Sequence, residues 1–269
     1  MPMFLQRALA ILLRQLYLLR GSPARIVPLF AWVAVDVVLW GFISRYLSVL
    51  TGSGAGLVAS LLGAVLLWNL LTRVMQGVTM AFFEDVWSRN FLNLFSTPLS
   101  VAEYITGLVL SSIATSTVGL GVMLLVAWAV FGLSLGGYGV LLVPFLLVLF
   151  LSGIALGVFG TAVVLRLGPA AEWLIWPMPA LVSPFACVFY PRATLPGWMQ
   201  AVSYGVPPSY VFEGVRALVA GGPVPAEALL GSVGLGVLYL ALTCAYFTRV
   251  YGQAVRSGSI ARYSAETVS

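Results

Sequence analysis

The sequence predicts an all-α polytopic membrane protein: six transmembrane helices, an N-terminal cytoplasmic interfacial helix, and an extracytoplasmic pair of short re-entrant helices before the last span. Three observations carry that prediction. Hydrophobic residues make up 61% of the chain and charged residues only 8%, where soluble domains hold about a quarter charged. Six apolar runs recur, long enough to match the ~20 residues a bilayer core requires. One further stretch, 184–216, is as apolar and aromatic as its neighbours, yet Pro191, Pro196, Pro207 and Pro208 interrupt it. Each proline removes a backbone donor and breaks a helix interior.

Residues 4–20 place Leu5, Leu9, Leu12, Leu16 and Leu19 on one stripe, with Arg7 and Arg14 nearly opposite. An amphipathic helix of that kind lies in the membrane interface instead of crossing it, or packs on a partner. We assign 1–25 to it, with Gly21, Ser22 and Pro23 as the stop, and 26–269 to a single transmembrane domain. Arginines interrupt the first apolar run, so no cleavable signal peptide is expected. The spans fall near 26–50, 57–82, 102–132, 139–166, 173–190 and 228–250, with a tail at 251–269. The third is overlong and is expected to tilt or overshoot. The fifth is the shortest, and Pro177, Pro179 and Pro184 predict a kink in it.

Orientation follows from the arginines. With a cytoplasmic amino terminus, ten of the thirteen fall on the inner side or inner half, and only Arg45, Arg192 and Arg216 fall outside. That positive-inside bias places both termini in the cytoplasm and the proline-broken segment on the outer face. There the prolines leave room for two short helices, near 196–204 and 209–219. The aromatic residues of the segment, among them Tyr190, Trp198 and Tyr210, favour the membrane surface. Broken backbone at that depth survives only beside protein or a wet cavity.

On the inner face, the 84–100 loop mixes charged, aromatic and apolar groups: Glu84, Asp85, Trp87, Arg89, Phe91 and Leu94, closed by Ser96, Thr97 and Pro98 as caps for the next helix. A short amphipathic helix there suits docking into a groove of a soluble partner, or floating on the headgroups. Within the spans, Asp36 and Arg73 are the deepest ionisable residues and lie at similar depth if the first two spans are antiparallel neighbours. They either pair, or Asp36 is held protonated while Arg73 reaches for the inner surface. Glu213 and Arg216 are three apart on one short helix and pair as a clip or line an exit. A hydroxyl cluster at Ser111, Ser112, Thr115, Ser116 and Thr117, and the Gly153–Gly157 step, point to close helix packing.

Some chemistries are excluded by composition. The chain has no His, and its thirteen basic residues are all Arg. Without Lys there is no conventional phosphate-binding Walker loop, and without His the common metal sites and imidazole-activated nucleophiles are gone. Cys187 and Cys244 read as buried free thiols. An intramembrane enzyme therefore lacks its groups. A self-sufficient secondary transporter or channel is the remaining alternative, although an inverted-repeat carrier should show broken helices in both halves and here only the second half has one.

The order of these features resembles the membrane subunit of ABC-2-type ABC exporters. The likeness rests on the interfacial helix, on the 84–100 loop, and on Tyr190-Pro191, Leu195-Pro196-Gly197-Trp198, Pro207 to Tyr210 and Glu213 to Arg216. It implies a six-span permease that forms its pathway as a dimer, homodimeric or with a related chain, in a bacterial cytoplasmic membrane. It also implies a separate ATP-binding subunit docked on 84–100. ATP and Mg would sit on that partner, leaving this chain without a cofactor, a metal or a catalytic residue of its own. Membrane lipids are the other expected partners, and nucleic acid is not one. The resemblance implies export of an amphipathic, lipid-linked, glycan or drug-like cargo. Trp32, Trp40, Phe42, Trp68 and Trp176 share no consistent face, so they do not choose among these.

Overall fold

The computed structural model describes residues 3–21, 23–52, 54–88, 93–94, 96–133, 135–224 and 226–258, and it is helical throughout, with no strand among them. The long helices are α1 (Met3–Arg20), α2 (Pro23–Thr51), α3 (Gly54–Trp87), α4 (Val101–Phe131), α5 (Leu142–Leu167) and α9 (Ala226–Arg256). Between α5 and α9 come three short helices: α6 (Met178–Ala186), α7 (Gly197–Tyr204) and α8 (Pro208–Val219). Turns of 3-10 helix at Leu135–Leu141, Pro169–Leu174 and Arg192–Thr194 link them.

Five helices are long and apolar enough to cross a membrane, at Ala31–Thr51, Gly56–Trp87, Val101–Phe131, Gly139–Leu167 and Ala226–Arg256. The sixth expected crossing, 173–190, is not one helix. Its chain is divided into the Pro169–Leu174 turn and the nine-residue α6. The prolines are responsible for the break. Pro169, Pro177 and Pro179 sit at helix starts, where a missing N–H costs nothing. At the other end, Cys187 takes a left-handed conformation (φ 56°) and stops α6.

α3 is the axis of the bundle: 56% of its apolar window is buried, against 22% for α2 and α4 and 17% for α9. Leu62, Leu66, Leu67, Leu70 and Leu71 are all fully buried on it. Small residues set how closely its neighbours approach. A Cβ at Gly153 would fall 2.7 Å from the Leu71 carbonyl oxygen, and one at Gly157 2.9 Å from that of Met75. The Gly153–Gly157 step therefore seats α5 on α3 within the chain. On the other side, the buried Ser112 hydroxyl donates to the Val74 carbonyl at 2.6 Å and ties α4 to α3. α9 completes the rim by packing along α5, where Gly236 meets Leu151.

α4 begins at a capping box. Ser100 Oγ accepts from the Glu103 N–H at 3.2 Å, and the Glu103 carboxylate accepts from the Ser100 N–H at 2.7 Å. The cap is thus Ser100, not the Ser96–Pro98 cluster the sequence suggests. α4 ends at Gly132, whose positive φ of 66° lets its N–H reach Trp128 O. Both cysteines are free thiols, with Cys187 buried and Cys244 half-buried.

Candidate functional site

The candidate functional side chains gather at three places: the end of the bundle that carries α1, a cavity beside α3, and the short-helix segment at the far end.

At the α1 end, a lock joins three elements. Asp85, in the last turn of α3, is fully buried and forms an ion pair with Arg14 of α1. Its other oxygen accepts from the buried Tyr104 hydroxyl of α4 at 2.7 Å. One turn away, Gln15 donates to the Ala81 carbonyl at 3.1 Å, and Arg7 reaches Glu103 at 3.4 Å. Burial lowers the pKa of the Arg14 guanidinium, while Tyr104 and Glu84 act against that shift. A charge drawn this far from water must be paired, and Asp85 supplies the partner.

The lock revises how α1 sits. The face turned to the bundle carries Arg7, Ala8, Ile11, Arg14 and Gln15, whereas Leu16 is 39% exposed and Leu13 52%. The two arginines therefore dock on protein, while Leu5, Leu9, Leu12 and Leu19 of the expected stripe are half-buried and Leu16 lies at the surface.

The same geometry sorts the residues expected to meet a partner. Asp85 faces inward and cannot contact one, because both of its oxygens are engaged within the chain. Glu84 lines the cavity described below. Trp87 is 50% exposed, stacks on Phe83, and donates its indole N–H to Glu172 at 3.1 Å. That bond ties the end of α3 to the Pro169–Leu174 turn. Leu94 packs against the core, and Arg89 and Phe91 lie outside the described residues.

The cavity, of about 740 Å³, runs along α3 between α1, α2 and α4. Asp36 and Arg73 both line it. The hydrogen-bond donor on Asp36 is Asn69 Nδ2 at 2.6 Å, a partner in neither of the two arrangements the sequence leaves open, a pair with Arg73 or a protonated Asp36. The reason is the position of the guanidinium. It lies against Gly119 of α4, where a Cβ would fall 3.0 Å from Arg73 Cζ and 3.2 Å from Nη2. Arg73 thus turns toward α4, and α2 meets Asn69 instead.

At the far end, one residue organises the segment, and the sequence reading assigned it no role beyond its side of the membrane. Arg192 donates from Nε to Ser203 Oγ at 3.1 Å and from Nη2 to Ser209 Oγ at 2.6 Å. Its guanidinium carbon stands 4.2 Å from the centre of the Tyr204 ring and 4.8 Å from that of Tyr210. Its backbone N–H donates to Glu213 at 2.6 Å. Glu213 also accepts from Arg216 at 2.9 Å, and Arg216 reaches the Val188 carbonyl at 3.3 Å. The expected Glu213–Arg216 contact is therefore one strand of a larger knot. Tyr190 closes onto the Pro184 carbonyl at 3.0 Å, Tyr210 onto the Tyr204 carbonyl at 2.9 Å, and Gln200 onto Leu195. Trp198 is 65% exposed and meets Phe185 edge-on. Pro191 and Pro196 each precede a helical turn, and Pro207 directly precedes α8.

α7 and α8 meet in a hairpin whose junction reaches the middle of the bundle. Tyr239 of α9 donates to the Gly205 carbonyl at 2.7 Å. Residues 205–208 share an apolar cavity of about 460 Å³ with Ser152, Leu156 and Phe159 from mid-α5. The rest of α8 climbs away, with Gly214 on Phe145 near the start of α5 and Phe212 beside Trp68. Trp40 stacks on Phe189 at 5.0 Å and ties α2 to the same segment.

A family model for the ABC-2 type transporter matches residues 9–219. The chain belongs to the ABC-2 type transporter family. No curated protein sequence matches it. It is a transmembrane permease component of an ABC transporter, multi-pass and not itself an ATPase by family. The match runs from the middle of α1 to the end of α8. It therefore includes the Arg14–Asp85–Tyr104 part of the α1 lock, the cavity beside α3 and the short-helix hairpin of the permease, and stops before α9.

Three partners in these arrangements could have been suspected from sequence. Glu103 follows Ser100 at capping-box spacing, Asn69 interrupts an apolar run, and Arg192 adjoins the proline-rich segment. Tyr104, Glu172 and Gly119 carry no such local signal. Their roles depend on which helix lies opposite.

Proposed function

We propose that the chain is the permease subunit of an ABC exporter, working as a dimer and driven by a separate ATP-binding subunit. The observation that carries this reading is the bracketing of the 88–100 connection inside a chain of the ABC-2 family. On one side stand Asp85 and Trp87, bonded to α1 and to the Pro169–Leu174 turn; on the other stands the Ser100–Glu103 cap, bonded to Arg7. A partner that pushes on this connection moves three elements at once.

The push then has a route. α3 is a single helix of 34 residues, about 50 Å at ~1.5 Å per residue. Near its middle Trp68 touches Phe212 of the hairpin, 6.1 Å between ring centres. ATP-driven closure of the motor subunits tilts α3, and the hairpin follows, opening a pathway between two permeases. In this reading α1, both termini and the 88–100 connection are cytoplasmic. α7 and α8 re-enter the membrane from the outside, within a single transmembrane domain in a bacterial inner membrane. The stretch from Pro169 to Phe189 serves as the sixth, broken crossing. ATP and Mg remain on the motor.

The test is an affinity pull-down of the chain from gently solubilised native membranes. A stoichiometric P-loop ATPase is the expected companion, and replacing Phe91 with Asp should release it while leaving membrane insertion intact. Absence of an ATPase, or its retention by the variant, would overturn the docking assignment and turn attention to Asp36 as the centre of a self-sufficient carrier.

A further inference from the structure

We infer that the apolar cavity between α5, α9 and the hairpin junction is a binding site for an anionic phospholipid, with an acyl chain inside the cavity and the headgroup at Arg166. Two helical stripes face this space, one within 152–159 of α5 and one within 239–246 of α9, each repeating at i, i+3, i+4 and i+7. The hairpin meets it at the Tyr239 end, where that hydroxyl donates to the Gly205 carbonyl at 2.7 Å. At the opposite end stand Phe159 and Tyr246, their ring centres 5.9 Å apart. What fills the cavity follows from its walls. The Tyr239 and Thr243 hydroxyls are engaged by the Gly205 and Leu240 carbonyls, and Tyr246 by Arg166. That leaves Ser152 as the one lining hydroxyl without a partner among the described residues. A buried water needs about two to four polar partners, so water does not suit the space, and an empty one forfeits the contacts of its lining. Hydrocarbon suits it. The volume, about 460 Å³, lies within the roughly 300–1,000 Å³ of small-molecule sites. Access is from the bilayer, because Phe159 and Leu242 border the cavity as exposed residues and α9 is the least buried of the five spans.

Arg166 supplies the headgroup end. It follows Phe159 by two turns on the same face of α5, about 10 Å further along the axis. There the apolar run of α5 ends, so the guanidinium stands at a membrane surface whichever side that is. It is exposed, its Nη1 donates to the Tyr246 hydroxyl at 3.4 Å, and no carboxylate pairs with it among the described residues. A guanidinium carries five N–H donors and Tyr246 takes one. The others suit a phosphate, which arginine can grip with two parallel bonds. Tyr246 thus joins the two parts of the site, with its ring on the cavity and its hydroxyl on Arg166. An anionic phosphate at the membrane surface with a hydrocarbon chain beneath it is an anionic phospholipid.

The site needs neither a motor nor transport, so its failure would leave the exporter reading untouched. The experiment uses the purified full chain in detergent with phosphatidylglycerol that carries a diazirine at the end of one acyl chain. After irradiation, mass spectrometry maps the labelled residues, and label is expected within 152–159, 205–208 and 239–246. Unlabelled phosphatidylglycerol should compete about five-fold better than phosphatidylcholine of the same chains, the worth of one arginine near a membrane surface. Arg166→Gln should erase that preference. Thr243→Trp fills the cavity from α9 and should abolish label on 205–208, with the melting temperature checking that the chain is folded. Arg166 is exposed, so its variant keeps the test open should Thr243→Trp not fold. Label spread evenly over the outer faces of the long helices, or unchanged on 205–208 in folded Thr243→Trp, would overturn the site. So would a cavity that takes no label because a second copy covers it. Equal competition by the two lipids, or a preference that survives Arg166→Gln, would overturn the headgroup assignment and with it the phospholipid.

Discussion

Each end of the bundle holds a half-buried arginine among buried partners, but the two arrangements are built on different scales. At the far end every bond of the Arg192–Glu213–Arg216 knot closes within 28 residues of chain. At the α1 end Arg7 and Glu103 stand 96 residues apart, and Gln15 reaches across 66 to Ala81. A local knot holds one hairpin in shape. The long-range lock determines where α1, α3 and α4 stand relative to one another, and it does so beside the connection that a motor would push. The far knot is thus confined to one short stretch of chain, whereas the α1 lock spans three helices.

Mutations should break the two differently. The largest effect is expected from Asp85→Ala, which strands Arg14. The loss should be on the order of 3 kcal/mol, at the lower end of the buried-pair range because Arg14 keeps 27% of its side chain exposed. Thermal unfolding of the purified chain reads it. Adding Arg14→Met to Asp85→Leu should cost less than Asp85→Leu alone, since no charge is then left unpaired. A simple sum of the two single effects would sink the lock.

Next in size is Arg192→Ala, with a loss of roughly 2 kcal/mol from two charge-assisted hydrogen bonds and two cation–π contacts. Here the comparison predicts location as well as size. Hydrogen exchange should speed up across 196–219 and stay unchanged in α1. Faster exchange at both ends would show that the far knot is no independent unit.

Between the ends, Gly119→Val should displace the Arg73 guanidinium and cost about 1–3 kcal/mol by overpacking. It should disturb the cavity without loosening either lock. Trp87→Phe is expected to be smallest, about 0.5–1 kcal/mol for one exposed hydrogen bond to Glu172. If transport falls far more than stability in that variant, the bond transmits force; equal modest losses would reduce it to a packing contact.

The hairpin's helices lie within one or two residues of their predicted positions, because prolines act through local backbone chemistry that any fold must obey. The five long helices are legible for a similar reason, since an apolar run of that length has one stable form in a bilayer. Pro177 and Pro179 act more strongly in 173–190 than the sequence predicts. A kinked span was expected, yet the chain there is divided into separate short pieces.

By itself, then, the sequence determined the helical class, the long apolar segments, the proline-divided region and the chain's lack of an ATP-binding lysine. These follow from composition and from interactions within a few residues. Tertiary structure alone decided that Asp85 turns inward to Arg14 and Tyr104, that Asp36 meets Asn69 while Arg73 moves to Gly119, and that Arg192 gathers the far segment. A charge buried in a membrane protein takes whichever partner the neighbouring helix presents, and that depends on packing angles and on where a missing side chain leaves room.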